Sequence, residues 1–283
     1  MILDQMELIA LAAALLVAGM AGGFVAGLLG VGGGIVIVPV LYYLLGLFGI
    51  DENVRMHIAT GTSLATIIPT SFSSIRSHNR KGAIDWELIK RWMPWMILGV
   101  CSGSLLSGIA SGDALSLVFA AVALPIALQF VLVKDKADPA DSDTKPIRPY
   151  APAFLTGGLS TMMGIGGGTI GVPILTYAGN SIHRSVGTAS VFGAIISIPG
   201  TLGAIIAGWG AEGLPPYSLG YVNLLGLALI APTSFLLAPF GARAAHAMNR
   251  KWLRLAWQIF KYAAYGLAFV LILFAGEALF HAP

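Results

Sequence analysis

Two glycine runs stand out among the residues whose type and spacing could do chemistry: Gly30-Val31-Gly32-Gly33-Gly34 and Gly164-Ile165-Gly166-Gly167-Gly168. Each lies in apolar sequence, and they end alike, in Val38-Pro39-Val40-Leu41 and Val172-Pro173-Ile174-Leu175. Glycine loses the most backbone entropy on folding and has no side chain to pack, so dense glycine in such a segment is a cost. Accepting it twice at matched positions points to a need for bare backbone. Unsatisfied N–H groups at a helix N-terminus, backed by the positive end of the dipole, bind anions. The expectation is that the two runs meet and hold a small anion through Gly32, Gly33, Gly34, Gly166, Gly167 and Gly168. The competing reading is close helix packing, which small residues also permit. Neither run is a dinucleotide fingerprint, because Ile35 and Thr169 stand where a third glycine is required and no strand precedes them.

A polar element follows each run. Gly61-Thr62-Ser63 and Gly187-Thr188-Ala189-Ser190 open the next helices, so Thr62, Ser63, Thr188 and Ser190 could donate to an oxyanion. They could equally cap the helix or bond back to a carbonyl one turn earlier. Ser63 matches Ala189, so the halves need not contribute equal hydroxyls. His57 and His183 each sit one turn ahead of their Gly-Thr element and are candidates for proton transfer or gating. Arg184, next to His183, is a cation placed to attract an anion, unless it only snorkels to an interface.

These residues must be positioned by membrane helices. The chain has 283 residues, 57% of them hydrophobic and 10% charged, with mean hydropathy +0.83. Soluble domains carry about 25% charged residues. The composition is that of an all-α polytopic integral membrane protein, and the net charge of +3 reports topology rather than a nucleic-acid partner. The single cysteine, Cys101, excludes an intramolecular disulfide and a cysteine metal cluster. Asp4 and Glu7, with no Lys or Arg nearby, do not make a signal-peptide n-region.

Residues 6–49 are too long for one span of about 20 residues. They predict a hairpin, 6–29 and 34–49, broken at the glycines. A helix over about 57–75 follows, then spans at 92–110 and 113–133, with Trp86, Trp92 and Trp95 at an interfacial belt. The polar 134–150 segment is a linker between halves. The second half repeats the plan, with a hairpin over 151–179 and spans at about 185–207, 218–241 and 254–279. The domains are therefore 1–133, 134–150 and 151–283, with about 8–10 helical segments in all. Thirteen of the sixteen Lys and Arg fall in 76–91, 134–148 and 243–254, which the positive-inside rule puts in the cytoplasm. Both termini and the 209–216 loop then lie outside, and the two repeats have inverted topology. Inverted repeats with broken helices meeting near the midplane are a build of secondary transporters.

The doubled GVGGG-IVIVP and GIGGG-TIGVP segments, each followed by a Gly-Thr helix start, resemble the TauE/SafE family, the sulfite-exporter or TSUP group of membrane transporters. The resemblance covers both halves. It implies a multi-pass protein of the bacterial inner membrane that exports small sulfur-containing oxyanions, sulfite or organosulfonates, by alternating access. The expected partners are a small anionic substrate and the lipid bilayer, with no nucleic acid; a homo-oligomer is left open. No cofactor, no metal and no catalytic residue is expected. No Walker motif is present, and no Asp or Glu lies mid-span, so proton coupling would have to use a histidine or the anion itself. The alternative is a passive anion channel on the same scaffold. A membrane enzyme would need clustered His and acids in one span, which the sequence does not have. A reporter fused after residue 145 should read cytoplasmic, and a periplasmic reading would overturn the predicted topology.

Overall fold

The computed structural model describes residues 5–132, 150–249, 251–253 and 255–256. The linker from 134 to 149 and nearly all of the span expected at 254–279 lie outside the described residues. The first half holds α1 (Gln5–Leu29), α2 (Gly34–Leu47), α3 (Glu52–Asn79), α4 (Trp86–Ile109) and α5 (Gly112–Leu132). The second holds α6 (Tyr150–Met162), α7 (Gly168–Tyr177), α8 (Ile182–Ala207) and α9 (Leu224–Ala247), with a short hairpin of β1 (Ser218–Leu219) and β2 (Val222–Asn223) before α9. Four of these helices are long and apolar enough to cross a membrane: α1 from Ile9 onward, α4, α8 and α9.

Side-chain caps fix where the helices begin, and they correct three expected boundaries. Asp51 accepts the Asn53 N–H at 2.8 Å, so α3 starts at Glu52 and not at 57. Asp85 accepts the Leu88 N–H at 3.0 Å and starts α4 at Trp86, earlier than 92. Asn223 accepts the Gly226 N–H at 2.8 Å and delays α9 to Leu224, because Tyr217 (φ 60°) and Gly220 (φ 55°) first turn the chain into the hairpin. Such caps satisfy N–H groups that have no intrahelical acceptor. Trp86 and Trp95 are exposed, as an interfacial belt requires, but Trp92 is buried and stacks on Phe192 with ring centroids 5.5 Å apart.

The glycine breaks fall where the sequence places them. Gly30, Gly32 and Gly33 take φ of 69°, 78° and 79°, a left-handed conformation open to glycine at little cost. The second break needs it only at Gly164 (φ 66°). The helices after the breaks have 14 and 10 residues, about 21 and 15 Å at 1.5 Å per residue, against a hydrocarbon core of about 30 Å. Neither arm can cross by itself. α2 folds back along α1, and Leu15, Ile37, Val38 and Leu41 share one buried cluster.

Packing follows a reciprocal pattern. α3 and α8 run antiparallel through the middle, with Gly193 against Ser71 and Gly200 against Leu64. α1 runs parallel to α9, and α6 parallel to α4, through close backbone approach. Gly103 abuts the Gly158 carbonyl, while Gly241 abuts the Phe24 carbonyl. Gly157 abuts the Met96 carbonyl, while Gly23 abuts the Ser234 carbonyl. The α4–α6 interface is thus repeated, position by position, by the α9–α1 interface. Lipid offers no hydrophobic drive between helices, so such backbone proximity carries the association. Gly241→Val and Gly103→Val should each reduce monodisperse, folded protein on size-exclusion chromatography in detergent. Ile109→Val on an exposed face should not.

Candidate functional site

The two breaks cross in contact. A Cβ on Gly32 would sit 2.8 Å from the Gly166 Cα, and one on Gly166 would sit 2.7 Å from the Val31 carbonyl oxygen. Gly168 abuts the Gly30 carbonyl, and Gly34 abuts the Gly164 carbonyl. The helices behind them are reciprocal too: Gly30 rests on Val186 of α8, and Gly164 on Thr60 of α3. Gly33 and Gly167 are the N-caps of α2 and α7, and neither offers a capping side chain. Among the described residues, the N–H groups of Gly32, Gly33 and Gly34, and those of Gly166, Gly167 and Gly168, meet no hydrogen-bond acceptor. In a bilayer each unsatisfied backbone group costs several kcal/mol. The crossing therefore concentrates strong donors, and two helix N-termini, at one buried point.

The hydroxyls divide by role. Thr62, fully buried, accepts the Asn223 N–H at 2.9 Å; Thr188 accepts the Asp85 N–H at 3.0 Å. Asn223 and Asp85 are the N-caps of α9 and α4, so each threonine holds the start of a helix from the other half. Gly61 and Gly187 let the preceding loops in, abutting the Tyr221 and Ala83 carbonyls. Ser63 donates to the Gly164 carbonyl at 2.7 Å and so fastens α3 to the second break. Ser190 instead donates within its own helix, to the Gly187 carbonyl at 2.6 Å, while Ala189 occupies the position that matches Ser63. Arg184 pairs with Asp85 at 2.8 Å and is half-exposed, so its charge is already engaged.

A cleft enclosing about 300 Å³, its open mouth included, lies between α3, α4, α6 and α8. His57, Thr60, Ser104, Thr161, Gly200 and Tyr221 are among its walls. Its floor reaches the second break, because Gly164 rests on Thr60 and donates its N–H to the Thr161 carbonyl at 3.1 Å. The His57 ring is fixed: Nδ1 lies 3.0 Å from the Asn53 carbonyl and Nε2 3.1 Å from those of Ser107 and Ala110. Tyr221 packs against it, tilted by 32° with centroids 4.7 Å apart, and burial raises the tyrosine hydroxyl above its usual pKa, so it stays neutral and can donate. The Ser104 hydroxyl is buried without a partner. Among the described residues, no group of three His, Cys, Asp or Glu could hold a metal ion.

The sulfite exporter TauE/SafE family model matches residues 15–265. The chain belongs to that family. It is a multi-pass membrane transporter of the TauE/SafE type, not an enzyme. A probable membrane transporter protein of Haemophilus influenzae is 34% identical over 87% of this chain and 93% of its own length. One from Methanocaldococcus jannaschii is 26% identical over 89% and 92%, and YunE of Bacillus subtilis, also a probable membrane transporter protein, is 28% identical over 84% and 88%. No solved structure matches the chain.

Within this TauE/SafE protein the glycines, Thr62, Ser63 and Thr188 gather around the crossing and its fastenings, and His57 lines the cleft. His183 and Arg184 lie apart, with His183 stacked near His246 and Arg184 on Asp85. Thr60, Ser104, Thr161 and Tyr221 were not singled out from the sequence, since their roles arise only where four helices converge. Thr62→Val and Thr188→Val should each leave a backbone N–H unpaired and cost about 1–3 kcal/mol of stability. Denaturant unfolding in mixed micelles should show both losses, with Thr→Ser at either position restoring most of the stability.

Proposed function

We propose that the chain is a secondary transporter that exports small sulfur-containing oxyanions, sulfite or an organosulfonate, across the bacterial inner membrane by alternating access. The observation that carries this reading is the six orphaned glycine N–H groups on two abutting helix N-termini, a donor set suited to a compact oxyanion. The cleft supports it by leading from one face to Thr60 and Thr161 beside Gly164. Gly32, Gly33, Gly34, Gly166, Gly167 and Gly168 hold the anion in this account. Thr62, Ser63 and Thr188 shape the surroundings through the helices they fasten, Ser190 bonds within α8, and His57 lines the entry.

The two units, 1–133 and 151–283, are read as inverted repeats joined by the 134–150 linker in the cytoplasm, with both termini outside. Support comes from the antiparallel α3–α8 pair and from the reciprocal α4–α6 and α9–α1 interfaces, since a two-fold axis in the membrane plane generates both relations. The cleft then opens to the outside. Coupling to protons is part of the proposal, with histidine as the carrier. A passive channel would need an open path, whereas the crossing is shut by backbone contact.

Purified protein should be stabilised to heat by at least one of sulfite, thiosulfate, sulfoacetate or taurine, and more by it than by sulfate. Proteoliposomes should show saturable counterflow of that anion, and Gly33→Leu or Gly167→Leu should abolish it in folded protein. Intact counterflow in both variants, or ohmic currents in place of counterflow, would refute the assignment.

A further inference from the structure

The reciprocal packing allows the open cleft to be compared with its own counterpart. α3 and α8 are in register through Gly61 with Gly187 and Thr62 with Thr188. α4 and α9 are in register through their caps, Asp85 and Asn223. Carried along these helices, the cleft wall maps onto the opposite face, the one bearing the basic 76–91 and 243–254 segments. His57 maps to His183, Gly200 to Ser74 and Thr161 to Gly27. Two wall positions become imidazoles: Ala204 maps to His78, and Gly108 maps to His246, while Ala207 maps to Lys81 and Tyr221 to Ala83.

Small residues keep the first face open, and imidazoles fill the second. His78 is fully buried, with Nε2 2.9 Å from the Gly27 carbonyl of α1 and Nδ1 3.0 Å from Nε2 of His246 on α9. His183 of α8 stacks on His246 with centroids 5.8 Å apart. Ser74 and Ala245 are buried beside them. The three rings and one carbonyl thus join α1, α3, α8 and α9 where the other half of the protein has a cleft.

We propose that His78 and His246 are the gate of a second, closed cleft, and that protonation from that face opens it. This rests on the alternating-access reading above. The chemistry follows from the contacts. A carbonyl only accepts, so His78 Nε2 carries its proton. The Nδ1···Nε2 contact to His246 then holds one proton between two nitrogens. When both rings are fully protonated, N–H faces N–H and the contact breaks. The charged groups acting on the pair, from the elements packed against it, are His183 on α8 and Lys81 in the turn after α3; α1 supplies only its carbonyl. Each is cationic or becomes so, and no carboxylate among the described residues acts on either ring. Added protons are therefore met by repulsion, which separates α9 from α3 and uncovers Ser74.

The test uses thiol accessibility and no transported anion, so it stands or falls separately from the substrate assignment. In a Cys101→Ala background in nanodiscs, Ser74→Cys is treated with a membrane-impermeant maleimide, and its rate is divided by that of the exposed Lys90→Cys. The ratio should be low at pH 8 and should rise about tenfold or more by pH 5.5. His246→Ala and His78→Ala should raise it at both pH values. His78→Gln, which keeps an N–H for the Gly27 carbonyl but does not titrate, should hold it low at both. A ratio that is unchanged between pH 8 and 5.5 in the parent would overturn the proposal, whatever the alanine variants do. So would a His78→Gln variant that opens with acid as the parent does.

Discussion

Everything in this protein is arranged around a place where two chains of bare peptide touch. Gly32 and Gly166 approach within a distance that no side chain would survive, and Gly30, Gly34, Gly164 and Gly168 interlock around them. Inside a bilayer such irregular backbone is tolerated only where protein buries it or where it lines a cavity. The surrounding helices meet that condition. α3 and α8 cover the crossing from either side, Ser63 ties one to the Gly164 carbonyl, and α1 and α6 deliver the chain to the break along α9 and α4. The glycines at those helix interfaces are needed because the breaks can meet only if the helices feeding them come close.

The same arrangement explains why the most suggestive hydroxyls are already occupied. Thr62 and Thr188 occupy helix positions near the crossing, but each spends its oxygen on the backbone of the opposite half. The unoccupied donors are peptide N–H groups, which do not titrate and do not change rotamer. A site made of them is rigid and of fixed polarity. In the function proposed above, discrimination among oxyanions would come from shape and from the differing walls of the two breaks. Ser63 stands on one side and Ala189 on the other, with three left-handed glycines in the first break and one in the second.

The breaks were legible in the sequence almost to the residue, since so dense a run of glycine in an apolar segment is costly unless the backbone there must be bare. The expected arms, 6–29 and 34–49, nearly coincide with α1 and α2. Hydropathy misplaces helix starts where a capping Asp or Asn lies inside a polar loop, as at Asp51, Asp85 and Asn223. Hydropathy marks where apolar residues begin, whereas a helix begins where an N–H first finds a cap. His78 and His246 were lost for a related reason: both sit in basic segments that read as loop charge, and their contact spans 168 residues of chain. Trp92 went the same way, assigned to the interface by its neighbours but turned inward onto Phe192.

The pairing of α1 with α9 bears on how the molecule is made. The first helix enters the bilayer while the rest of the chain is still being synthesised, and the glycine face that it shows to α9 has no mate until Leu224–Ala247 has emerged. Meanwhile α4 is complete long before α6 arrives to lie beside it. Contacts this distant in sequence delay closure and leave surfaces unpaired on the way. Assembly of the α1 interface thus waits on α9. Truncation within α9 removes the partner of α1, and a nascent chain stalled there presents a long-lived, half-assembled target to membrane quality control.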